Sequence, residues 1–159
     1  MTKRQVFYSF HYENDVMRVQ QVRNIGALED NQPVSVNNWE EVKRGGDASI
    51  KKWIDDNMKY RSCVVVLVGE HTAYRPWVNY EIKKAWEEEK GLLAIRINRL
   101  KCPRNGISPY GPNPFDSLQF SQQGRVIVPK IHDPHPLYPL QDIAANLERW
   151  IEDAIRQRD

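Results

Sequence analysis

The sequence predicts an α/β fold, a three-layer sandwich around a central, mostly parallel sheet of about five strands. Three observations carry that expectation. Residues 64–68 (V-V-V-L-V) and 92–97 (L-L-A-I-R-I) are short apolar runs, the pattern of strands covered on both faces. Between them lies an amphipathic stretch opened by Pro76, where a first helical turn tolerates proline, and closed by Gly91. Strand, helix and strand within about forty residues make a βαβ unit, whose crossover is right-handed.

The remaining elements follow in chain order. Residues 5–10 (Q-V-F-Y-S-F) predict a first strand. The polar cluster Glu13, Asn14 and Asp15 then suits a helix cap, and Val16, Val19, Val22 and Ile25 recur at helical spacing until Gly26. Residues 33–36 predict a short second strand. The loop over 37–46 ends in Gly45 and Gly46, and Asp47 is the expected N-cap of a helix over 48–58 carrying Ile50, Trp53, Ile54 and Met58. The βαβ unit comes next. Pro103, Pro109, Pro112 and Pro114 keep residues 98–124 irregular, and a loop of that length is more often functional than idle. Residues 125–128 predict a last short strand. Leu140, Ile143, Leu147, Trp150, Ile151 and Ala154 predict an amphipathic C-terminal helix.

One chain of 159 residues suits a single domain, 1–159, with one core. Apolar residues at 40% and charged residues at 28% describe an ordinary soluble globular protein. A formal charge of +2 is too small to argue for nucleic acid or an anionic membrane as partner. No apolar run approaches a membrane span, and the first residues lead into a strand instead of a signal peptide. Cys63 in a core strand and Cys102 in a loop lack the spacing of a metal or redox pair and suit a reducing cytoplasm. His132 and His135 are flanked by Pro134 and Pro136, which argues for loop histidines and against a helix aiming both at a metal. No Gly-rich phosphate loop follows the first strand and no serine elbow appears, which excludes ordinary Rossmann, P-loop and serine-hydrolase readings.

The functional candidate lies on the central helix. Val78, Ile82, Ala85 and Trp86 form its buried stripe. Trp77 and Glu81 are four apart, so an indole and a carboxylate meet about a quarter turn round from that stripe. The plain alternative is a packed indole and a solvated carboxylate. The other reading places both at the carboxyl edge of the sheet, where parallel α/β folds bind ligands.

The run R-S-C-V-V-V-L-V-G at 61–69, followed by Y-R-P-W-V-N-Y-E-I at 74–82, resembles the central block of TIR domains, where a strand leads to a W-x-x-x-E helix. The opening V-F-Y-S-F-H-Y at 6–12 is similar to the V-F-I-S-Y start of the same family. F-H-Y at 10–12, V-R-N at 22–24, W-E at 39–40 and G-P-N-P-F-D at 111–116 resemble, more narrowly, the TIR-like ThsB proteins of bacterial Thoeris anti-phage systems. The likeness covers nearly the whole chain and implies a flavodoxin-like sandwich. The R-D-x-x-P-G loop of adaptor-type TIR domains is absent, which argues against receptor-style contacts.

The resemblance implies chemistry on NAD, as substrate and with no other cofactor. Enzymatic TIR domains break the bond between nicotinamide and ribose, and the glutamate of W-x-x-x-E, here Glu81, is their catalytic residue. Departure of the nicotinamide leaves an oxocarbenium-like ribose, whose charge a carboxylate stabilises. On the same carry-over Trp77 stacks on a ring of the substrate, while Ser9, Phe10 and His11 form the opposite wall. Trp39 and Glu40 belong to a loop that closes over the site, and Asn113 and Asp116 shape the pocket. Within the Thoeris group the product is a cyclic ADP-ribose isomer that activates a separate effector, and self-association on activation is expected. Cyclisation needs water kept out, and the proline-rich loop is the expected lid. Two rivals stand beside this reading: a nucleoside deoxyribosyltransferase-like enzyme, and a non-catalytic TIR scaffold acting by assembly.

Overall fold

The longest apolar runs of the chain lie side by side in one sheet. In a computed structural model, which describes residues 5–25, 44–103 and 106–159, β1 (Val6–Ser9), β2 (Cys63–Val68) and β3 (Gly91–Arg96) run parallel in that order. Their register is continuous, from Val6 beside Cys63 to Ser9 beside Val66, and from Cys63 beside Gly91 to Val68 beside Arg96. Every residue of β1 and β2 is buried, so neither strand needs a polar alternation.

Helices cover both faces. On one, α1 (Tyr12–Arg23) and a C-terminal helix, Pro139–Arg156, enclose a core that includes Val19, Val22, Leu93, Ile95, Ile143 and Leu147. On the other, α2 (Gly46–Met58) and α3 (Pro76–Glu87) pack Ile50, Ile54, Val78 and Ile82 onto Val64, Val66 and Ala94. Each such side chain contributes roughly 1.5–3 kcal/mol on burial. The result is the three-layer α/β sandwich that the sequence predicts.

The chain after β3 departs from expectation. Residues 125–128 do not supply the last strand of the sheet. Instead β4 (Ser121–Gln122) and β5 (Arg125–Val126) form an antiparallel hairpin outside it, turned at Gln123 and Gly124 with φ of 53° and 77°. The fourth sheet strand is β6 (Ile131–His132), parallel to β3 through Ala94 and Ile95, and α4 is the C-terminal helix. His132 is therefore a strand residue, stacked on Trp150 at 4.2 Å, and not a loop histidine. The strand expected over 33–36 lies outside the described residues.

Two helix starts also differ. His11 is the N-cap of α1, so Asn14 and Asp15 lie inside the first turns, where Asp15 turns inward to an arginine. Gly45 is the N-cap of α2, and Asp47 sits in its first turn, where an acid still complements the helix dipole. Among the described residues no helix is long and apolar enough to cross a membrane.

Candidate active site

The central helix α3 begins at Pro76, after an extended Arg75, and packs across β1, β2 and β3. Glu81 precedes Ile82 on it and is drawn under the sheet's edge, leaving 7% of its surface exposed. Ser9, the last residue of β1, is fully buried and donates its hydroxyl to Glu81 Oε1 at 2.7 Å. No charged group among the described residues offsets the carboxylate. Burial outweighs the serine hydrogen bond and pushes the carboxyl up to about 8. A buried acid without a counter-ion works against stability, and such perturbed groups concentrate where proteins do chemistry.

The neighbouring candidates divide between the two faces of the sheet. Trp77 is half-buried against the α2–α3 core, its ring edge-on to Tyr80 at 5.7 Å. Tyr80 in turn donates to Asp55 of α2 at 2.9 Å, which fixes this rim. Phe10 packs against the α1–α4 core and lies 6.1 Å from Tyr12. Strand alternation explains the split: Phe7 faces the α2–α3 side with Ser9, while Tyr8 and Phe10 face the other. His11 is buried, with its ring 6.3 Å from that of His71. Of the expected wall, Ser9 makes a hydrogen bond to Glu81.

Asn113 and Asp116 serve the loop itself. The Asn113 side-chain oxygen accepts from the Phe115 amide at 2.9 Å, and Asp116 is exposed. Neither forms a hydrogen bond with Glu81 among the described residues. Trp39 and Glu40 lie outside the described residues.

A buried arginine that the sequence reading missed pins the long loop. Arg18 on α1 donates from Nε to the Leu100 carbonyl, and from one terminal nitrogen to the Gly106 carbonyl and Ser108 Oγ, each at 2.8 Å. Its other terminal nitrogen meets Asp15 at 2.9 Å. Further along, Arg96 donates to the Gly111 carbonyl at 2.6 Å, and Phe115 is buried in the core. A Cβ on Gly111 would stand 2.2 Å from the Gly69 carbonyl oxygen, so only glycine lets the two loops approach. The described part of the proline-rich stretch is thus anchored at Arg18, at Arg96 and through Phe115. The one sequence signal for Arg18 is its spacing of three from Asp15, which helical partners favour.

Ser9 and Glu81 are thus joined at the carboxyl edge of a parallel sheet. Residues 7–102, which hold all of β1 but its first residue, all of β2 and β3 and both of these side chains, match the family model described as "Thoeris protein ThsB, TIR-like domain". A Bacillus cereus (strain MSX-D12) protein named "Putative cyclic ADP-D-ribose synthase ThsB1" is 38% identical over 132 residues, covering 79% of this chain and 68% of that protein. The fold, the W-x-x-x-E helix and the extent of both matches place the chain in the ThsB family of Thoeris TIR-like proteins.

Proposed function

We propose that this protein is a TIR enzyme that cleaves the nicotinamide–ribose bond of NAD and closes the ADP-ribose into a cyclic signalling nucleotide. The observation that carries the reading is Glu81, a buried carboxylate at the sheet's carboxyl edge with one hydroxyl partner and no cation among the described residues. The similarity to a relative named as a cyclic ADP-D-ribose synthase supports the same chemistry. NAD brings a positively charged pyridinium ring, and bond cleavage moves that charge onto the ribose. A carboxylate beside the anomeric carbon stabilises the charge in the transition state. Nicotinamide leaves as a neutral molecule, so no acid is needed to protonate it. A second group of the same ADP-ribose then attacks the cation if water is excluded. The diffusible product would reach a separate effector, and self-association would complete the site, as the family resemblance implies.

Chromatography of NAD incubated with the protein tests the proposal. Wild-type protein releases nicotinamide, and Glu81→Gln, nearly equal in shape, lowers turnover by about a thousandfold or more. No release by wild-type protein would sink the enzymatic reading, and unimpaired release by Glu81→Gln would sink the role given to Glu81. Because the working form is the carboxylate, kcat/KM rises with pH from the acid side and levels off above about 8.

A further inference from the structure

The contact between Ser9 and Glu81 deepens this reading and rests on it. We propose that Ser9 is a positioning residue for the glutamate: its hydroxyl ties Oε1 to the end of β1, so that Oε2 is the oxygen left for substrate. The tie is rigid at its base. Ser9 is fully buried, and its Cα is fixed by pairing with Val66 in the sheet. Glu81, by contrast, hangs from a helix on several rotatable bonds, and among the described residues Oε2 has no hydrogen-bond partner. A hydrogen bond to an ionised acceptor is about twice as strong as a neutral one, so the serine favours one rotamer and the charged form together. Small displacements of a reacting group lower rates steeply, which makes such a tie consequential.

Among the described residues, the charged groups nearby are turned to other partners, and the serine is the group bonded to Glu81. Lys84, on the same helix, is occupied by Glu88 at 2.8 Å and by Asp55 of α2 at 3.3 Å. Arg96 of β3 is turned to the Gly111 carbonyl. Beyond β2, His71 lies 3.7 Å from Glu70, with the ring of His11 next to it. Tyr8 of β1 packs into the core on the other face of the sheet.

The test uses the full chain with Ser9→Ala, Ser9→Cys and Ser9→Thr beside Glu81→Gln. Two readouts are taken across pH: steady-state NAD cleavage, and titration of the Glu81 carboxyl by carbon NMR on glutamate-labelled protein. Ser9→Ala should lower kcat about tenfold, change KM less than about twofold and move the Glu81 midpoint upward by about one pH unit. Ser9→Thr, which keeps the donor, should restore kcat and midpoint to near wild type. Ser9→Cys, close in volume but a weak donor, should follow alanine, and it serves should the alanine variant fold poorly by circular dichroism. An unmoved midpoint with unchanged kcat in Ser9→Ala and Ser9→Cys would overturn the proposal and leave Ser9 a space-filling residue. Retained cleavage by Glu81→Gln would overturn the catalytic role of Glu81 instead, and absence of cleavage by wild-type protein the enzymatic reading, while the NMR midpoint still decides whether Ser9 holds the carboxylate.

Discussion

Two carboxylates are buried near the same end of the sheet, and they are treated in opposite ways. Asp15 faces Arg18, both side chains fully buried, and the guanidinium also donates three hydrogen bonds to the loop after β3. Glu81 has a serine hydroxyl and no cation among the described residues. Burial raises the Asp15 carboxyl above its ordinary range, with Arg18 opposing, whereas nothing charged opposes burial at Glu81. The difference separates architecture from chemistry. A paired acid organises neighbouring loops; an unpaired one holds free energy that a cationic ligand can release.

Neutralising the two sites should therefore give opposite signs. The largest effect is expected for Arg18→Met, which strands Asp15 without its cation and should destabilise by about 3–5 kcal/mol in urea unfolding. Adding Asp15→Asn should recover part of that loss, as a double-mutant cycle would show. Glu81→Gln should instead stabilise. The folded state keeps the Glu81 proton up to about 8 while the unfolded state releases it near 4.5, so wild-type stability falls as pH rises through that window. The variant escapes this loss and should be more stable by on the order of 2–3 kcal/mol at pH 7, with the gap closing below about pH 5. Equal stability at both pH values would show that Glu81 is not desolvated.

Smaller effects probe how the loops are packed against these sites. Gly111→Ala places a methyl group on backbone carbonyl oxygens of Gly69 and Glu70 and should destabilise by roughly 1–3 kcal/mol. Gly69→Ala meets the Asp15 carboxylate, at 2.1 Å from Oδ2, and should destabilise by about 1 kcal/mol. That second cost should shrink in the Asp15→Ala background and not in Glu81→Gln, which assigns the contact to the structural acid.

The central unit was readable because its signals are local. Residues 64–68 and 92–97 are apolar runs, and Pro76 and Gly91 punctuate the helix and strand between and after them. Glu81 was legible as a candidate through its spacing from Trp77, but its burial was not. That burial depends on β1 arriving alongside with Ser9, contributed from 72 positions away in sequence. β6 escaped notice because two residues, Ile131 and His132, between a lysine and an Asp-Pro pair offer no periodicity. Arg18 escaped because a charged residue in a helix reads as solvated unless its partners are known, and most of those come from beyond β3. The proline content of residues 98–124 foretold irregular backbone correctly. It carried no information on which side chains that backbone would meet.

An acid enclosed without a counter-charge takes its missing partner from whatever enters. The oxidised dinucleotide offers a pyridinium, and the reduced form offers a neutral ring of nearly the same outline. On the proposed reading the Glu81 carboxylate would tell the two apart by charge and not by shape.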